Sequence, residues 1–214
     1  MNKLSCNGLI GSSFIEKIYN NGLINKKLIG IWIGGNNSLL NDRMMHIGDI
    51  DNKYYSKSTN NHKTLQSLTA TNWILPLQSI TYGKYKLTCD TDFAILDYLH
   101  YFTLTSEENF NILISYIKNY LPYTKTIKYN NNIFAYTNCS NTYPDLLITL
   151  TEATYRLNPE DYLAPFYLDN RKYYMLAIAA SSQKSAHLWS IGNHLLKNYY
   201  VVLNPVNQTI TFAV

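Results

Sequence analysis

The chain has 214 residues, of which 46% are apolar and 15% charged, with a net charge of +4. That length can bury one sizeable core or two small ones. The basic residues are scattered, with no run beyond Lys26-Lys27, and no apolar stretch reaches spanning length, so neither a nucleic-acid footprint nor a membrane span is expected.

From the N-terminus, "MNKLSCNGLIGSSF" carries one lysine and too little apolar length for a secretory signal. "SSFIEKIYNNGL" predicts a short helix. Ser12 or Ser13 caps it, Phe14, Ile15 and Ile18 share a face, and Gly22 stops it. "KLIGIWIGG" reads as a strand ended by glycines, and "MMHIGDID" as a strand and turn. "WILPLQSITYGKYKL" reads as two strands about Tyr82-Gly83-Lys84, with Pro76 marking an edge or a bulge. Asp90-Thr91-Asp92 reads as a hairpin turn before the apolar run "FAILDYLHYF". Ser106 to Tyr120 predicts the clearest helix: Thr105 or Ser106 at the cap, Glu107 and Glu108 in the first turn, and a stripe of Phe110, Leu113, Ile114 and Ile117. Short strands follow in "NIFAY", "DLLITL", "ATYRL", "YLAPFYL", "KYYMLAIA", "HLWSIG", "YYVVLN" and "TITFAV", with one helical turn at "NPEDYL". The Asn-rich pieces "NNSLLND", "STNNHK" and "YNNN" read as loops. Twenty tyrosines reinforce the β-rich reading.

The chemistry-bearing residues are few. Cys6, Cys89 and Cys139 allow at most one disulfide and have no metal-ligand spacing; free thiols are expected, with a Cys89–Cys139 pair left open. His46, His62, His187 and His194 form no motif. Serine-hydrolase, P-loop and dinucleotide patterns are absent, so no cofactor or metal is expected. The three glycosylation sequons, at Asn36, Asn138 and Asn207, are what chance gives in a chain this rich in Asn, Ser and Thr. One residue stands out. Asp97 is the single acid in "FAILDYLHYF", readable as an ordinary strand-end residue or as a catalytic carboxylate.

The order of segments resembles the C-terminal lobe of pepsin-like aspartic proteases. Gly8-Leu9-Ile10-Gly11 is similar to the segment that closes the family's N-terminal lobe. Gly48, Asp49, Asp51, Tyr54 and Tyr55 resemble its Gly-Gly-x-Asp-x-x-Tyr-Tyr turn, and "NWILPLQSI" with Trp73 its next strand. Cys139 and "YPDLLITL", around Pro144 and Asp145, resemble its Leu-Pro-Asp-Ile strand. "LWSIGNHLLKNYYVVLNPVNQTITFAV" resembles the closing segment. There Trp189, Ser190, Ile191 and Gly192 cover the hydrophobic-hydrophobic-Gly element. In that register "FAILDYLHYF" falls on the catalytic strand, and Asp97 takes the aspartate position.

The resemblance implies an all-β lobe of the pepsin-like acid protease β-barrel fold with a few short helices. Residues 1–12 would be a remnant of the interlobe segment and 13–214 the lobe. It implies peptide-bond hydrolysis by two carboxylates that share a proton, one from each lobe. This chain departs from that pattern. Tyr98 replaces the threonine, Leu99 the glycine, and His100 the following Thr or Ser. The family's lobe disulfide is also expected to be lost, since no cysteine lies near Tyr173-Tyr174-Met175. Three roles are therefore expected as alternatives: an inactive single lobe, half of a two-lobe protease whose N-terminal lobe is elsewhere, or a non-catalytic binding or scaffold protein. Expected partners are a peptide or protein substrate if active, and an N-terminal lobe or a second copy. The resemblance points to a secretory or vacuolar route.

Overall fold

The computed structural model describes residues 14–34, 43–55, 62–69, 72–98, 100–138, 143–151 and 153–213. The Gly8–Gly11 segment, the boundary after residue 12, both candidate caps of the first helix, Leu99, Cys6 and Cys139, and the sequon at Asn36 lie outside them. Among the described residues there are fifteen strands and four short helices, an all-β architecture. The chain divides into two compact units, residues 1–75 with 196–214, and residues 76–195.

The first unit holds α1 (Phe14–Asn20), β1 (Ile29–Trp32), β2 (Met44–Ile47), β3 (Lys63–Gln66), β14 (Tyr200–Asn204) and β15 (Thr209–Ala213). Its five strands form an antiparallel sheet in the order β2-β1-β14-β15-β3. β1 and β14 pair from Ile29↔Leu203 to Trp32↔Tyr200. A side chain at Gly30 would overlap the Tyr200 ring, so glycine is what lets that ring lie across the strand. Tyr200, Val202 and Ala213 are buried, with Trp32, Ile50 and Tyr54 packed on them. In α1, Ile15 is 2% exposed but Phe14 is 61% exposed, so the expected shared face is centred on Ile15.

The second unit is built on a larger sheet. β4 (Ile74–Tyr82), which enters from the first unit, and β5 (Tyr85–Leu96) meet at Gly83, whose φ is +58°. Then follow β6 (Thr103–Thr105), α2 (Glu107–Lys118), β7 (Lys125–Tyr129), β8 (Asn132–Thr137), β9 (Leu146–Leu150) and β10 (Ala153–Leu157). α3 (Pro159–Tyr162), β11 (Leu163–Leu168), β12 (Arg171–Ser181), β13 (Leu188–Ile191) and α4 (Asn193–Leu196) complete it. The sheet order is β10-β9-β4-β5-β13-β6-β12-β8-β7, with β11 added on β12. β4 is therefore an interior strand. Pro76 is tolerated beside a register shift between Leu77 and Ser79, the bulge rather than the edge. α2 begins at Ser106, whose hydroxyl accepts from the Asn109 N–H, and it buries Phe110, Leu113, Ile114 and Ile117.

One expectation is overturned. Asp90-Thr91-Asp92 is no turn but the middle of β5, which runs unbroken for 12 residues. The acid is admitted because it has a buried donor to serve. Trp189 is fully buried, and its indole N–H donates to Asp92 Oδ2 at 2.9 Å.

Candidate active site

The site follows from where β13 inserts. β5 and β6 are consecutive in the chain, yet β13 lies between them, parallel to β5 and antiparallel to β6. Residues 97–102 must therefore cross from one side of β13 to the other. Hydrogen bonds tie that connection to the end of β13. Asp97 N–H donates to Ile191 O at 2.8 Å, and Gly192 N–H to Thr103 Oγ1 at 3.1 Å. Asn193 N–H donates to His100 O at 2.8 Å, and its side-chain amide to Tyr98 O at 2.8 Å. A Cβ at Gly192 would overlap the backbone oxygen of Phe102. Only glycine permits so close a crossing.

Asp97 sits at the mouth of this crossing, directly after the last residue of β5. Its side chain is 18% exposed. Ser190 Oγ donates to Asp97 Oδ2 at 2.7 Å. His100 Nδ1 lies 2.7 Å from the same oxygen, and the His100 backbone N–H is 3.3 Å from Oδ1. The imidazole is 59% exposed. The structure thus brings together Asp97, His100, Ser190, Ile191 and Gly192. Tyr98 turns inward: its hydroxyl is buried with no hydrogen-bond partner among the described residues, and burial pushes its ionisation well above the usual tyrosine range. Burial likewise raises the phenol of Tyr101.

The contact from Ser190 was not legible in the sequence. Its signal is a lone hydroxyl within the apolar segment Leu188-Trp189-Ser190-Ile191, at a position where the hydrophobic-hydrophobic-Gly pattern calls for an apolar side chain. Two further acids, Asp92 and Asp51, hold histidines that sequence spacing left without a motif. His187 Nδ1 lies 3.1 Å from Asp92 Oδ1 and 3.2 Å from Thr91 Oγ1. In the first unit His46 bridges Asp51 and Tyr200, with Nε2 3.2 Å from Asp51 Oδ2 and Nδ1 3.2 Å from the Tyr200 hydroxyl. Tyr54 stacks on Trp32 at 5.2 Å beside them. The segment from Gly48 to Tyr55 therefore serves this local network.

Among the described residues no group of three His, Cys, Asp or Glu side chains is placed to hold a metal ion, and no helix is long and apolar enough to cross a membrane. Chemically, the cluster offers one carboxylate with two short contacts on Oδ2 and one exposed imidazole.

Comparison with known proteins bears on the whole chain. A family model described as eukaryotic aspartyl protease matches residues 3–214. The chain is also 21% identical over 201 residues to the aspartic-type endopeptidase ctsD of Aspergillus fumigatus. That match covers 94% of this chain but 40% of the relative, so the chain spans less than half the length of the curated protein it resembles.

Proposed function

The chain belongs to the eukaryotic aspartyl protease family, and from that premise we propose that it is a member that does not cleave peptide bonds by itself. The observation that carries this reading is the state of Asp97. Acid-pair catalysis needs a carboxylate free to share a proton with a second one, so that one activates water while the other protonates the peptide carbonyl. Here the Oδ2 of Asp97 is already engaged by Ser190 and His100, both at 2.7 Å. The residue after it, Tyr98, has no hydroxyl to offer a facing loop, since its phenol is buried. In the family's register Leu99 stands where a glycine leaves room for water and close backbone approach. Pairing two copies does not restore the machinery. Each copy brings Asp97-Tyr98-Leu99 where the family's register has Asp-Thr/Ser-Gly, so a pair lacks the small hydroxyl and the glycine twice over.

The reading predicts that a statine-type mimic of the tetrahedral intermediate gives no heat of binding by calorimetry at acid pH. Tight binding that is lost in Asp97→Asn would reject it. A second reading is favoured by the 40% coverage of the relative: the chain would be the C-terminal half of a two-lobe protease acting on peptides or proteins. Sequencing full-length transcripts decides this. An in-frame upstream lobe carrying an intact Asp-Thr/Ser-Gly supports it, and a transcript without one excludes it.

A further inference from the structure

The non-cleaving reading explains what Asp97 no longer does; the geometry also points to what it does instead. We propose that Asp97 and Ser190 are positioning residues for His100, which they hold with Nδ1 protonated so that its basic Nε2 is the reactive group this loop presents to solvent. This rests on the same site and deepens that reading.

With Asp97 ionised the carboxylate only accepts hydrogen bonds, and the 2.7 Å contact then places a proton on Nδ1 of His100. A hydrogen bond at one ring nitrogen fixes the tautomer and leaves the lone pair on the other. Free imidazole side chains favour the opposite form, so the arrangement is imposed by the fold. The carboxylate is itself immobilised. Its backbone N–H is bonded to Ile191 O at 2.8 Å, and Ser190, 1% exposed on β13, donates to the same oxygen that His100 uses. The backbone carbonyl of His100 is fixed by Asn193 N–H at 2.8 Å. Both ends of the residue are thus anchored, while 59% of its side chain stays exposed. The other histidine–aspartate contacts differ. His46 has both nitrogens engaged, and His187 shares Nδ1 between Asp92 at 3.1 Å and Thr91 at 3.2 Å.

The chemistry that fits is attack by, or proton transfer to, the Nε2 lone pair of an oriented imidazole. The matching ligand class is an activated acyl group or an acidic O–H. With diethyl pyrocarbonate as probe, Nε2 bonds to a carbonyl carbon and the anhydride C–O bond breaks, its electron pair leaving with ethyl carbonate. Asp97 stabilises the positive charge that develops on the ring until the Nδ1 proton is released.

The test uses the intact chain near neutral pH. Long-range proton–nitrogen NMR of the wild type should assign His100 to the Nδ1–H form, and Asp97→Asn should return it to the Nε2–H form. Acylation of His100, followed by peptide mass spectrometry with His187 as internal reference, should slow about tenfold in Asp97→Asn, as loss of a charge-assisted hydrogen bond implies. It should slow about threefold in Ser190→Ala and recover in Ser190→Thr, because the serine acts on His100 only through the carboxylate it anchors. A wild-type His100 found as Nε2–H would overturn the proposal, and that readout needs no variant to fold. So would equal acylation rates in the wild type and Asp97→Asn. Neither readout depends on peptide cleavage, so this proposal and the non-cleaving reading fail separately.

Discussion

The phenol of Tyr98, next to Asp97 in the chain, is buried with no hydrogen-bond partner among the described residues. A buried hydroxyl without a hydrogen bond costs about 1–3 kcal/mol of desolvation. Tyr98→Phe should therefore stabilise the chain by about 1 kcal/mol in urea unfolding. The same residue gives the alkaline limit. Tyrosine ordinarily ionises near 10.0, and burial raises Tyr98 above that. The unfolded chain then releases its proton first. The chain's stability is untouched by this group below about pH 10 and falls as pH rises toward the raised value. Tyr98→Phe should remove part of that loss, which stability curves from pH 8 to 11 would register. Substituting Asp92 should have the opposite effect on stability to Tyr98→Phe. It accepts the buried Trp189 indole at 2.9 Å, so Asp92→Ala should cost about 2–3 kcal/mol and disturb tryptophan fluorescence in the native state. At this scale the sequence was half legible. Asp97 was visible as an acid ending an apolar strand. Its donor Ser190 lies 93 positions away, and Asp92 was misread as a turn because polar residues in mid-strand usually mark one.

Elements were legible in proportion to the length of their apolar pattern. α2 could be read outright, because a cap, two early glutamates and a four-residue stripe agree on one answer, and all four stripe residues are buried. Ser106→Ala should cost about 1 kcal/mol by removing the bond to the Asn109 N–H, measured by thermal or urea unfolding. β6 could not be read. It is three residues long and buried on every side chain, too short to alternate. β7 could not be read for the opposite reason: all five residues are exposed, so Lys125–Tyr129 shows no inward face. The crossing of residues 97–102 over β13 depends on pairing between strands far apart in sequence, which no local pattern encodes. Its one local mark is Gly192. Gly192→Ala would drive a methyl group into the backbone oxygen of Phe102, and should cost about 2–3 kcal/mol while loosening the bonds from Asn193 to Tyr98 and His100. Faster hydrogen exchange at the Asn193 amide would report this directly.

For the whole chain, the all-β architecture and the family were both legible, the first from short strands and tyrosine content, the second from the order of segments along nearly the full length. What the sequence could not supply is the company Asp97 keeps. Family membership alone favours hydrolysis. The hydrogen bonds from Ser190 and His100, with Tyr98 turned inward, favour a site that keeps the acid-protease framework without its proton-sharing pair. The most direct measurement is digestion of a denatured protein substrate by the purified chain between pH 3 and 6, with products identified by mass spectrometry beside an Asp97→Asn control. Non-cleavage predicts the same peptide background in both samples. Sustained turnover by the wild type that disappears in Asp97→Asn would contradict it.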